Sequence, residues 1–172
     1  LNFSLKLLTL LTIISIVLGV YRTSSLLGTN FSWYYNDEML PENHPQYNPN
    51  LFQFTHTFHA KYPPWNGKTS SFYPLLEICQ SQLGVKDLHR IKANLNPRTM
   101  FHKHGGYHSD LPNVTTAIFY VNSNNGWTQF KSGGRVKCVK NRVVIFDSNL
   151  EHEGVTSTNE KVKVVINFNY EG

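Results

Sequence analysis

The chain has 172 residues and a mass of 19.8 kDa, the size of one domain; 40% hydrophobic and 16% charged residues exclude a disordered segment or a coiled coil. Two cysteines, Cys79 and Cys138, are too few for a disulfide framework or a Cys-rich zinc site, and point to a reducing, cytoplasmic setting. A net charge of +5 is compatible with an anionic partner, but there is no basic tail and no base-reading constellation, which argues against nucleic acid.

In chain order, Leu7–Val20 comes first, an apolar run of about 14 residues, short of the roughly 20 a membrane helix needs. A buried core helix is expected there, with a signal peptide or membrane anchor as the alternative. Residues 1–24 are therefore set apart from a domain spanning 25–172. Residues 36–50, rich in Pro and Asn, read as a loop, as do residues 62–71. Ser71–Leu83 carries apolar residues at helical spacing, and Gly84 is a plausible stop. Strands follow at Arg90–Leu95, Thr115–Val121, Arg135–Val139, Arg142–Phe146 and Lys161–Tyr170, separated by short turns. Closely spaced strands without crossover helices predict a mainly β (α+β) fold, an antiparallel sandwich or barrel backed by N-terminal helices. Aromatic residues at 13% agree with a sheet-rich chain.

The chemistry begins at Tyr107-His108-Ser109-Asp110. In an extended chain residues two apart point the same way, so His108 and Asp110 can offer an imidazole and a carboxylate to one point. Alone that pair reads equally as a satisfied contact at a strand end. His152, after the strand Arg142–Phe146 and a turn, supplies a second imidazole. Two histidines and a carboxylate on one face form the facial triad of non-haem Fe(II) oxygenases, although a zinc hydrolase can use the same donors. The last strand alternates, with Lys161, Lys163, Val165, Asn167 and Asn169 on one face. That face either meets water or lines a pocket in which a lysine holds a carboxylate.

Together these residues resemble the Fe(II)/2-oxoglutarate-dependent dioxygenases, and within them the prolyl-hydroxylase-like branch with its short phage-type members. The resembling stretches are FSWYYND (31–37), RIKANLNPRT (90–99), GYHSD (106–110), TTAIFYVNSNNGWTQF (115–130), NRVVIFDSNLEHEG (141–154) and KVVINFNY (163–170). The resemblance spans about residue 25 to the end and leaves the apolar run uncovered. It implies a double-stranded β-helix, or jelly roll, with iron held by His108, Asp110 and His152. It also implies a cosubstrate site in which Tyr120 and a basic residue take the distal carboxylate of 2-oxoglutarate. Lys163 is the favoured basic residue and Lys161 the second choice, with Asn96 and Asn167 lining the same pocket. The implied cofactors are Fe(II), 2-oxoglutarate and O2, with ascorbate as an auxiliary reductant. The implied reaction hydroxylates a substrate, peptidyl proline first, and releases succinate and CO2.

Three alternatives stay open: a non-catalytic binding module of the same fold, a cosubstrate-independent cupin-like metalloprotein, and a nucleic-acid demethylase. A peptide or protein substrate is expected beside the small-molecule cosubstrate, and a membrane only if the N-terminal run is an anchor. His56, His59, His102 and His104 read as structural or surface residues, and Cys138 as a small core residue.

Overall fold

The computed structural model describes residues 6–9, 26–63 and 67–172. Its strands are β1 (Lys6–Thr9), β2 (Tyr34–Asn36), β3 (Gln53–Ala60), β4 (Lys68–Thr69), β5 (Asp87–Pro97), β6 (Thr115–Tyr120), β7 (Trp127–Phe130), β8 (Arg135–Lys137), β9 (Arg142–Asp147), β10 (His152–Val155) and β11 (Val162–Glu171). A 3-10 turn over Tyr73–Leu76 leads into helix α1 (Glu77–Leu83). The large sheet runs β1-β9-β6-β11-β5-β3-β2, with β4 on β3, and the small sheet runs β10-β7-β8. Every pairing is antiparallel, and the two sheets face each other as a jelly roll.

The core lies in two layers because the central strands are buried on both faces. In β6, Ala117 and Phe119 pack outward with Ile91, Ile166 and Phe168, whereas Ile118 and Tyr120 pack inward with Phe130, Val144 and Phe146. This is why 117–121 reads as an unbroken apolar run rather than an alternation. The outer layer is closed by Leu76 and Cys79 from the turn and helix and by Leu26 and Phe31. The helical segment is shorter than the sequence predicts. Pro74 sits at the start of the 3-10 turn, and only Glu77–Leu83 continues as α-helix. The expected stop holds: Gly84 adopts φ 67°, the left-handed conformation that lets its N–H reach back to Gln80 and Ser81.

The apolar run departs from expectation where it is described. Lys6–Thr9 pairs antiparallel with β9, Lys6 opposite Ile145 and Thr9 opposite Arg142, so the expected core helix is absent at Leu7–Thr9. A short apolar run carries no periodicity that separates strand from buried helix, and here an open sheet edge takes it. The rest of the run lies outside the described residues. Among the described residues no helix is long and apolar enough to cross a membrane.

Candidate metal centre and its cavity

His108 and His152 meet across a two-residue antiparallel bridge, with His108 N donating to His152 O at 3.0 Å and His152 N to His108 O at 2.9 Å. Asp110 is fixed by its own N–H, which donates to Ser148 O at 3.0 Å. These backbone bonds bring residues from separate segments to one point: one ligand atom from each of His108, Asp110 and His152 lies within 4.8 Å of the others. Each imidazole is oriented through Nδ1, which bonds Gly106 O in His108 (3.2 Å) and Leu150 O in His152 (3.0 Å). That leaves both Nε2 atoms for a ligand, the usual way a protein fixes the tautomer of a metal-binding histidine. His152 Nε2 and Asp110 Oδ2 are 3.9 Å apart, close to the ~3 Å that neighbouring donors adopt around an ion with bonds of about 2.1 Å. Two imidazoles and a carboxylate on one side fit a six-coordinate Fe(II) with open positions.

The carboxylate is held by a closed ring of side chains. Arg90 Nη2 donates to Asp110 Oδ1 at 3.1 Å, and Arg90 Nε donates to Asn169 Oδ1 at 3.0 Å. Asn169 Nδ2 then donates to Thr116 Oγ1 at 2.9 Å, and the Thr116 hydroxyl donates to Asp110 Oδ2 at 2.8 Å. Burial pushes the Asp110 acid upward, but the charges of His152 and Arg90 and the Thr116 bond outweigh it and hold it below its ordinary value. Burial lowers His152, with Asp110 opposing. The ring of His152 is walled by Phe146 at 4.8 Å and Phe130 at 6.1 Å, which keeps water from that side of the triad.

The triad opens onto a cavity of about 330 Å³ between the two sheets. Its floor follows from register. β11 and β5 pair Asn169 with Arg90, Asn167 with Lys92, Val165 with Asn94 and Lys163 with Asn96, so their inward side chains form two parallel rows. On the other face of β5, Ile91, Ala93 and Leu95 enter the core. Lys163 is 2% exposed, and its ammonium donates to Trp127 O at 2.9 Å and Val155 O at 2.8 Å. An ammonium has three N–H groups, so one remains for the cavity. Burial lowers its pKa, with the charges of Cys138 and Glu153 opposing. Space beside its stem is kept by Gly126, where a Cβ would stand 2.7 Å from Val155 O and 3.2 Å from Lys163 Cδ.

The other sequence-predicted residues divide. Asn96 and Asn167 line the cavity. Tyr120 is fully buried, and its hydroxyl donates at 2.7 Å to Thr128 Oγ1; Thr128 lines the cavity and Tyr120 stands behind it. Lys161 is exposed, precedes β11 and lies away from the cavity. The strict alternation expected from Lys161 onward fails there because the strand begins only at Val162, after a turn. His102 bonds Thr156 O and His104 bonds the buried Glu153, while His56 is held between Ser32 O and Ser70 Oγ, all structural contacts. Cys79 and Cys138 are buried free thiols. Sequence reasoning missed Arg90, Lys92, Asn94, Thr116 and Thr128. The first three carried a signal, since Arg90-Ile91-Lys92-Ala93-Asn94-Leu95-Asn96 alternates as cleanly as β11.

No family model matches this chain, and no curated protein matches it. Solved structures do. A prolyl-4-hydroxylase from Pseudomonas putida superposes with a TM-score of 0.62 at 12% identity, over 99% of this chain and 94% of the other. A 2-oxoglutarate–Fe(II) oxygenase-family oxidoreductase from Burkholderia pseudomallei gives 0.63 at 7% identity, over 97% and 84%. A prolyl hydroxylase from Trichoplax adhaerens, in complex with a hypoxia-inducible-factor peptide fragment, gives 0.58 at 11%, over 99% and 84%. The chain therefore has the jelly-roll fold of the prolyl-hydroxylase-like 2-oxoglutarate–Fe(II) oxygenases, with a His-Asp-His set opening onto its central cavity.

Proposed function

We propose that the chain is an Fe(II)- and 2-oxoglutarate-dependent dioxygenase. The observation that carries this reading is one cavity with the converging donors of His108, Asp110 and His152 and, apart from them, the buried Lys163 ammonium with an N–H to spare. His108 and His152 would present their Nε2 atoms to the metal, and Asp110 would supply the one negative charge. Arg90, Thr116 and Asn169 hold that carboxylate so it cannot rotate away. Lys163 takes the distal carboxylate of 2-oxoglutarate as a point charge, and Thr128, braced by the Tyr120 hydroxyl, gives that carboxylate a second contact. When bound, Fe(II) and 2-oxoglutarate supply the O2-driven oxidation that converts a substrate C–H to C–OH while the cosubstrate becomes succinate and CO2. Ascorbate serves as an auxiliary reductant. A prolyl residue in a peptide is the first substrate to test, because prolyl hydroxylases share the fold. The buried free thiols of Cys79 and Cys138 fit a reducing compartment, and we assign the cytoplasm.

Anaerobic addition of Fe(II) and 2-oxoglutarate should produce a visible charge-transfer band, and His108→Ala should lose both the band and iron-dependent succinate release. A His108→Ala protein that keeps both would refute the assignment. An iron-binding chain indifferent to 2-oxoglutarate would instead support the cupin-like alternative.

A further inference from the structure

The cavity carries more positive charge than the metal ligands and the proposed cosubstrate employ. Arg90 is committed to Asp110 and Asn169, and Lys163 to the far end of the cavity. Lys92 lines the same cavity directly opposite Asn167, and among the described residues its ammonium makes no hydrogen bond or ion pair. The carboxylate whose charge reaches it is Asp110, already held by Arg90 and Thr116. Beside it, the amide oxygens of Asn94 and Asn167 are buried and without a partner. They are two of the four such side-chain atoms among the described residues. Buried polar atoms are rarely left unpaired, and two such oxygens beside an unpaired ammonium in one cavity mark a ligand site.

The chemistry of that ligand follows from the groups. The Lys92 ammonium calls for an anion, and the two amide oxygens call for N–H or O–H donors. A residue inside a peptide has no free carboxylate to pair with the Lys92 ammonium. An α-amino acid has a carboxylate and an amine on one carbon. Met39, Leu111 and Ile118 supply apolar wall in the same cavity, suited to an aliphatic side chain.

We propose that Lys92, Asn94 and Asn167 form the head-group subsite of the prime substrate, and that this substrate is a free aliphatic α-amino acid. Lys92 takes the carboxylate, and the two amide oxygens take the amine. The inference depends on the dioxygenase reading and narrows its substrate from a peptide-bound residue to the free amino acid.

The test is saturation-transfer NMR on the chain loaded with redox-inert Zn(II), with and without 2-oxoglutarate. The probes are a pool of the twenty free L-amino acids and the matching N-acetyl amino-acid amides. At least one aliphatic free amino acid should receive saturation and its blocked form none. Lys92→Met should weaken that amino acid at least tenfold while 2-oxoglutarate affinity, read by thermal shift, stays within twofold. Equal binding of blocked and free forms, or no free amino acid bound, overturns the proposal. So does a tenfold loss of 2-oxoglutarate affinity in Lys92→Met, which would assign Lys92 to the cosubstrate. The free-versus-blocked comparison on the unaltered chain decides the matter if Lys92→Met does not fold. A chain that 2-oxoglutarate fails to stabilise refutes the dioxygenase reading separately.

Discussion

The two faces of β11 carry opposite chemistry, one apolar and one polar. Outward, Val164, Ile166, Phe168 and Tyr170 are buried among aromatic and aliphatic side chains and pin the strand to the outer layer. Inward, Asn169 is bonded to Arg90 and Thr116, while Lys163, Val165 and Asn167 face a cavity, where a buried ammonium and an unpartnered amide oxygen oppose folding unless something fills it. One backbone carries both, so the apolar face supplies the stability that the polar face consumes. β5 repeats the arrangement, with Ile91, Ala93 and Leu95 outward and Arg90, Lys92, Asn94 and Asn96 inward. Rigid burial on one face is what allows unpaired groups to be held still on the other.

Three changes would break or sharpen that contrast. The largest effect belongs to the outer face. Phe168→Ala empties a site with 0% exposure and should cost about 3–5 kcal/mol of stability in chemical denaturation. A loss below 1 kcal/mol would show that the outer layer does not carry the fold. The next belongs to the inner face. In the unaltered chain 2-oxoglutarate at one hundred times its Kd should stabilise by about 2.7 kcal/mol, and Lys163→Met should abolish that gain. A variant that keeps the full ligand-induced rise in Tm would remove Lys163 from the cosubstrate site.

The smallest effect is a pH dependence of the metal-free protein. Burial holds folded His152 below its ordinary 6.5, with Asp110 opposing. As pH falls through 6.5 the unfolded chain gains a proton there that the folded chain refuses, so stability must decline on acidification. Asp110, also held low, adds a loss of the same sign once pH falls below its ordinary 3.8. Melting curves from pH 8 to 4 should show Tm falling first below about 6.5, and His152→Gln should flatten that upper step. A wild-type Tm constant from pH 7.5 to 5.5 would contradict the buried, neutral imidazole.

Much of the sheet was legible because long strands repeat their pattern often enough to be read. The strands expected at Arg90–Leu95, Thr115–Val121, Arg142–Phe146 and Lys161–Tyr170 match β5, β6, β9 and β11 to within a few residues at each end. β7 and β10 went unread, since four residues carry no usable period, yet they form most of the small sheet that roofs the cavity. β3 also went unread, because His56 and His59 interrupt its apolar positions; His56 is buried with its ring nitrogens bonded to Ser32 O and Ser70 Oγ.

The sequence by itself determined which residue types were available for chemistry and which side of each long strand they occupy, because side-chain alternation is a local property of extended backbone. Tertiary structure alone decided distance and partnership. It placed His152 across from His108, turned Lys163 inward while Lys161 remained in solvent, and set Thr128 in front of Tyr120. It also left Lys92 without an anion, which no pattern could forecast. Those outcomes depend on register between strands far apart in the chain, where a slip of one residue exchanges every inward group for an outward one.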